Sequence, residues 1–202
     1  MPIIPLAPDH AADAAALHIA SQPGTFLTSL GPGVLTALYR ALPATRAGFG
    51  FAAVEHDAPP APLTGFISAA TGVGRLFVEI GTTRLGLLLP PLLAQLARHP
   101  GLLVRSAQTA LYPLLVAGKT GPQAAELLSI MVAPDRRNQG IGAELLAALV
   151  DACRARGLPL LDVTVDATNP GAQRFYARHG FTHHRTFTLY GRPMHHYRLS
   201  LG

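Results

Sequence analysis

Tryptophan is absent from the 202 residues, cysteine occurs once, and only 13% of the chain is charged. A single cysteine excludes an intrachain disulfide, and nothing points to an oxidising compartment. Cys153 falls on a helical pattern among alanines and leucines, where a small buried packing residue is expected rather than a nucleophile. Lysine is nearly missing too, since Lys119 stands alone, so arginine carries the formal charge of +5. These arginines are scattered, without a basic stripe interleaved with aromatics, which argues against nucleic acid as the primary substrate. The mild positive balance suits a polyanionic ligand such as a nucleotide phosphate.

Long apolar runs are lacking as well. The stretch from Leu85 to Ala94 is the most apolar, yet Pro90-Pro91 interrupts it and charges bound it before the about 20 residues of a membrane span. The opening residues Met1-Pro2-Ile3-Ile4-Pro5 lack the basic region and apolar run of a signal peptide, so a cytoplasmic protein is expected. What is present is 49% apolar, the composition of a compact fold, read as one domain over residues 1–202.

Ile3 to Leu6 reads as a first strand, and Asp9 as the cap of a helix running to about His18. Gly31-Pro32-Gly33 reads as punctuation before a second helix, whose stripe is Val34, Leu35, Leu38 and Leu42. Phe49–Glu55 and Leu63–Ala69 form an expected hairpin around the turn-forming run His56-Asp57-Ala58-Pro59-Pro60. Residues 72–118 then look helical in three pieces, Arg75–Arg84, Leu85–Arg98 and Leu102–Val116, an inserted layer between the third and fourth strands. Its plain role is a cover over the core; an acceptor-site lid, a homodimer face or a membrane-surface contact are the functional alternatives. From Ala125 the pattern becomes strand to Val132, helix Ile141–Arg156 stopped by Gly157, and strand Leu160–Val165. A helix opened by Asn169-Pro170 follows, then two final strands, Thr182–Tyr190 and Met194–Leu201. This order implies an α/β fold, a mixed sheet with helices on both faces.

Chemistry concentrates in Ser129-Ile-Met-Val-Ala-Pro-Asp-Arg-Arg-Asn-Gln-Gly-Ile-Gly-Ala-Glu-Leu-Leu145, a strand running through a glycine loop into a helix. Gly140 and Gly142 admit a ligand close to the backbone, and the first amides of the helix have no intrahelical partner. The helix dipole favours negative charge there, and Arg137 adds a permanent cation, so the place suits a pyrophosphate. A Rossmann loop would need glycine where Leu145 stands, and a Walker loop would need Gly-Lys-Ser/Thr.

The run Val132-x-Pro134-x-x-Arg137-x-x-Gly140-x-Gly142 resembles the acyl-CoA signature of the GNAT acetyltransferase superfamily. A second block, Asn169-Pro-Gly-Ala172-Gln-Arg-Phe175-Tyr176-Ala-Arg-His-Gly180-Phe181, is similar to the segment after that family's fifth strand. The close likeness covers about Glu126 to Tyr197. It implies a mostly antiparallel sheet whose fourth strand bulges and splays from the fifth, leaving a V-shaped opening for the pantetheine arm of acetyl-CoA. Backbone groups of Ile130, Met131 and Val132 would bind that arm. Arg137, Asn138, Gln139, Gly140, Ile141, Gly142 and Ala143 would hold the pyrophosphate, and Asn169 is either a coenzyme contact or an ordinary helix cap.

Amine attack on a thioester needs a base, a polarised carbonyl and an acid for the leaving thiolate. Glu126 matches the base position of some protein-acetylating members, and alternation would place it on one face with Leu128 and Ile130. Tyr176 would be the acid, with Phe175 facing the core. The implied function is acetyl transfer to a primary amine of a small molecule or amino sugar. A protein lysine or N-terminal amine acceptor, and a non-catalytic acyl-CoA-binding domain, are the alternatives. His183-His184 and His195-His196 offer at most one imidazole per pair to a shared site, so no metal is expected; single histidines could line the acceptor pocket.

Overall fold

The computed structural model describes residues 1–56, 62–102, 124–189 and 191–202. Most of the expected Leu102–Val116 helix, the turn from Asp57 and the end of the expected strand at Tyr190 lie outside the described residues. Among the described residues seven strands form one sheet in the order β1-β2-β3-β4-β5-β7-β6. Their ranges are β1 Ile3–Pro5, β2 Gly48–Val54, β3 Leu63–Ala70, β4 Ala124–Val132, β5 Leu160–Asp166, β6 Thr182–Leu189 and β7 Arg192–Ser200. Only β4 and β5 pair in parallel; every other neighbour is antiparallel. The mixed, mostly antiparallel α/β sheet expected from the sequence is therefore present.

Helices cover both faces. On one lie α6 (Ile141–Ala155) and α7 (Pro170–Arg178). They bury Ile141, Leu145, Leu149, Cys153 and Tyr176 against Phe49, Ile67, Leu127, Leu161 and Val163. On the other lie α1 (Ala11–Ser21), the single turn α2 (Phe26–Ser29) and α3 (Gly31–Ala41). There Leu17, Leu35 and Tyr39 pack on Ala52, Phe66 and Met131. Both α6 and α7 end where a glycine takes the left-handed conformation. After α6, Gly157 N–H donates to Arg154 O at 2.9 Å and Leu158 N–H to Cys153 O at 3.0 Å, which satisfies the last carbonyls and turns the chain into β5.

The inserted layer is helical as expected, with α4 at Val73–Thr83 and α5 at Leu85–Arg98. Leu76 and Ile80 of α4 join Ala41, Leu42, Ala47 and Ala70 in a third buried cluster. Pro90 and Pro91 do not end α5 but sit inside it. Among the described residues no single helix is long and apolar enough to cross a membrane, and α4 and α5 are bent by 91° where they meet.

Two local expectations are corrected. Asp9 lies in a one-turn 3-10 segment, Pro8–His10, and does not cap α1; here the ring acts, His10 Nδ1 accepting from Ala7 N–H at 3.0 Å. Gly31-Pro32-Gly33 is the first turn of α3 rather than a break before it. The reason is crowding: a Cβ on Gly33 would stand 3.2 Å from Pro91 Cβ, and Gln95 Nε2 crosses to Ser29 O at 3.0 Å. The glycines let α5 lie against the start of α3.

Leu145 is fully buried between α6 and the sheet. Leu145→Ala should lower unfolding free energy by roughly 2–5 kcal/mol, read from the urea midpoint at unchanged m-value.

Candidate active site

The site begins where two parallel strands part. β4 and β5 pair only from Ala124↔Leu160 to Leu127↔Val163, although β4 continues to Val132 and β5 to Asp166. Just beyond that last pair, β4 carries a bulge: Ala69 pairs with Leu127 and Ser68 with Ser129, so Leu128 has no partner on β3. A bulge bends its strand and sharpens the local twist, which carries the end of β4 away from β5. Ile130, Met131 and Val132 remain paired to Ile67, Phe66 and Gly65 on one side and face no strand on the other. The splayed pair expected from the resemblance is thus present.

The bulge also corrects the facing of β4. Ala125 and Leu127 belong to the cluster beneath α6 and α7, and beyond Leu128 the even-numbered Ile130 and Val132 take over that face. Ser129 and Met131 point to α3, with Tyr39 Oη donating to Ser129 Oγ at 3.2 Å. Glu126 therefore does not share a face with Ile130, because the inserted residue resets the alternation. It lies on the α4 side, opposite Ala70 of β3 and Asp162 of β5.

At the open end of β4 the chain passes through a 3-10 turn, Pro134–Arg136, into the glycine loop. Among the described residues the amides of Arg137 to Gly142 hydrogen-bond to no other protein group, and α6 has no side-chain cap. Six neighbouring donors without partners stand at the positive end of a helix of 15 residues, a setting that suits an anion. Asn138 and Gly140 have φ of 62° and 86°, and the Gly140 value requires the glycine. Gly142 differs, since a Cβ there would make only ordinary contacts, 3.6 Å to Phe175 and 3.8 Å to Val132. Internal packing does not demand glycine at 142; close approach of a ligand would. The Arg137 side chain is exposed and its Nε reaches Val132 O at 3.4 Å, while Gln139 Nε2 donates to Asp135 O at 3.3 Å.

Phe175 packs against the core as expected, but Tyr176 is the more deeply buried of the two. Tyr176 is 4% exposed within the core cluster, edge-on to Phe175 and Phe181, whereas Phe175 is half-buried beside Gly142. Burial pushes the Tyr176 phenol well above its usual value, so it stays protonated. Its hydroxyl has no hydrogen-bond partner among the described residues. Asn169 is the cap of α7, its Oδ1 accepting from Ala172 N–H at 3.0 Å. Cys153 is fully buried, and burial raises its thiol to about 11, as suits a packing residue.

Sequence reasoning missed the charged cluster beside Glu126. Asp162 is 0% exposed and receives Arg198 in a two-bond fork, Nε to Oδ1 at 2.7 Å and Nη2 to Oδ2 at 2.8 Å. His196 Nε2 lies 3.3 Å from Asp162 Oδ2. Burial alone would raise the Asp162 carboxyl, but the bonds from Arg198 and His196 hold it down at about 2. Glu126 has no such fork. Burial raises it to about 7, with Asp162 adding to the rise and His196 and Arg185 opposing it. The signal was available: Asp162 is an acid inside the apolar strand Leu160-Leu161-Asp162-Val163. The paired histidines divide between faces as expected, His183 with His195 at 5.0 Å and His184 with His196 at 5.6 Å between ring centroids. Among the described residues no group of three His, Cys, Asp or Glu could hold a metal ion.

A bulged fourth strand splayed from its parallel neighbour above a loop of unpartnered amides is the centre of this geometry. Residues 96–181 match the family model described as Acetyltransferase (GNAT) family. Residues 96–181, under half of the chain, are thus similar to that family. The chain is 37% identical over 59 residues to an uncharacterized N-acetyltransferase of Methanocaldococcus jannaschii, covering 29% of this chain and 26% of that relative. It is 44% identical over 57 residues to the mycothiol acetyltransferase of Clavibacter michiganensis, covering 28% of this chain and 19% of that one. The matched stretches thus span about a quarter and a fifth of these curated relatives. A solved structure from Desulfovibrio desulfuricans, assigned to the same family, superposes over 100% of both chains with TM-score 0.61 at 18% identity, a likeness of fold.

Two outcomes follow for this site. Gly142→Glu should abolish acetyl-CoA binding in calorimetry, because it places bulk and negative charge among the loop amides. Glu126 titrates higher folded than unfolded, so its stabilising effect is complete below pH 4.5 and fades as pH rises to about 7. Glu126→Gln should therefore gain stability relative to the parent as pH rises through that window, measured by denaturation at several pH values.

Proposed function

We propose that the protein transfers the acetyl group of acetyl-CoA to a primary amine of a small molecule or amino sugar by direct attack. The observation that carries the small-acceptor reading is the seating of α4. Its Leu76 and Ile80 pack in one cluster with Ala70 and Leu128, which flank Glu126, and that residue is 9% exposed. A base so covered suits a compact acceptor better than a protein chain, which needs an open cleft.

The unpartnered amides and the unforced glycine at 142 fit the coenzyme, whose diphosphate supplies negative charge and whose thioester supplies the acyl group. Arg137, Asn138, Gln139, Gly140, Ile141, Gly142 and Ala143 would hold the diphosphate. The free edge of Ile130, Met131 and Val132 would align the pantetheine amides as a strand would. Asn169 serves as the cap of α7, so its contact with the coenzyme is the weaker half of its reading.

Glu126 lies on the α4 face of the sheet and Tyr176 on the face beneath α6 and α7, so base and acid would approach from different sides. Glu126, raised to about 7, is an effective proton acceptor near neutrality. It removes the proton from the attacking ammonium or amine. Tyr176, kept protonated by burial, donates to the departing thiolate. Backbone donors of β4 polarise the carbonyl.

A free-thiol assay over a panel of amines and peptides tests the reading. Turnover with small amines or amino sugars is expected; turnover with peptides alone would assign a protein acceptor, and acetyl-CoA binding without turnover a non-catalytic domain. Tyr176→Phe should lower kcat by about tenfold or more with little change in coenzyme affinity. An unchanged kcat would remove the phenol from the mechanism.

A further inference from the structure

The outer side of α5 is made of the wrong residues for water. From Leu85 to Ala97 every exposed position of this helix is apolar or glycine, and Leu85, Leu89 and Leu93, spaced by four on one face, are 50%, 39% and 55% exposed. The inner side is already engaged. Leu87 and Leu88 pack in the cluster of Leu76 and Ile80, Pro91 lies against Gly33, and Gln95 donates to Ser29 O. A helix with one neighbour carries polar residues on its solvent face; one that is apolar on both sides is made for a second contact.

Charge says what that contact is. Between Asp57 and Glu126 the sequence holds five cations, Arg75, Arg84, Arg98, Arg105 and Lys119, against one acid, Glu79, an excess that makes up most of the chain's formal +5. Glu79 is turned to the backbone, its Oε2 accepting from Arg46 N–H at 2.8 Å and Ala47 N–H at 3.1 Å. Arg84 and Arg98 bracket α5 at its two ends, and among the described residues neither they nor Arg75 meet an acid. In the C-terminal half, by contrast, Arg136, Arg154, Arg192 and Arg198 all do.

A second copy seated on this face about a twofold axis would bring the same cationic rim against itself, with no exposed acid on α5 to answer it. A bilayer with anionic headgroups answers both features, taking leucines between its acyl chains and arginines at its phosphates. Neither α4 nor α5 is long enough to cross a membrane, and the two are bent by 91°, so the contact is with the surface. We propose that the outer face of α5 docks on an anionic lipid surface, Leu85, Leu89 and Leu93 entering the boundary between headgroups and acyl chains while Arg84 and Arg98 hold phosphate. The opposite side of α5 packs in the cluster that contains Leu128, so docking sets the Glu126 side of the sheet close to the lipid. The proposal does not depend on which amine is acetylated.

Flotation of the full chain with vesicles tests it. Vesicles of equimolar phosphatidylcholine and phosphatidylglycerol should carry the protein, vesicles of phosphatidylcholine alone should not, and raised salt should release it. Leu89→Glu combined with Leu93→Glu should cut partitioning about tenfold or more at an unchanged thermal midpoint, since both positions are exposed, and Arg98→Gln should cut it about fivefold. Because the chain has no tryptophan, Leu89→Trp supplies a single reporter, whose emission should be that of exposed indole in buffer and shift to the blue on the mixed vesicles. Absence from the floated fraction, binding indifferent to lipid charge, or equal flotation of the double variant would overturn the proposal. Blue emission already in buffer would overturn it too, showing α5 covered by another part of the chain or, where sedimentation equilibrium gives a dimer, by a second copy.

Discussion

The separation of β4 from β5 after Leu127 and Val163 is the constraint on which the rest of this molecule depends. Parallel strands hold together by evenly spaced hydrogen bonds, and one extra residue at Leu128 ends that register. The core on both faces tolerates the gap because α6 and α7 fill one side and α3 and α4 the other. What the gap leaves is a strand edge and a row of loop amides with no partner among the described residues, groups that a ligand rich in acceptors can satisfy.

The same bulge decides the electrostatics. By resetting the alternation of β4 it keeps Glu126 on the face of Asp162, His196 and Arg198 rather than in the apolar layer beneath α6. Two buried acids then sit side by side in different states. Asp162 is ionised because a guanidinium fork and an imidazole meet it, and the cost of burying that charge is offset by bonds of 2.7 and 2.8 Å. Glu126, lacking such bonds, is left near the middle of the physiological range, where a proton can be gained and lost.

A second network ties the N-terminal helices to the site. His18 Nδ1 and Tyr39 Oη lie 2.6 Å apart, and Tyr39 Oη donates to Ser129 Oγ directly beyond the bulge. Burial lowers His18 to about 4 and raises Tyr39, so both remain neutral and the chain of hydroxyl and imidazole acts as a rigid strut between α1, α3 and β4. The side chains that hold the bulge in place are therefore distant in sequence from the glycine loop that it exposes.

How much could be read before folding depends on the range over which each feature is encoded. The strand, glycine loop and helix from Ser129 to Leu145, and the capped helix from Asn169, were legible because caps, φ requirements and periodicity act within a few neighbouring residues. The α/β class followed from the order of such segments. The start of α3 was not legible, since the need for Gly33 comes from Pro91, far along the chain. Nor was the facing of Glu126, because alternation is broken by a residue whose surplus shows only against the register of β3. The partnership of Asp162, His196 and Arg198 was equally hidden: β5 and β7 meet only through tertiary pairing, with α7 and β6 lying between them in sequence. The sequence by itself determined the glycine loop with its unpartnered amides and the elements around it. Only the tertiary structure decided which face each strand presents and which buried charge finds a partner, because both depend on pairing between strands that the chain order does not place together.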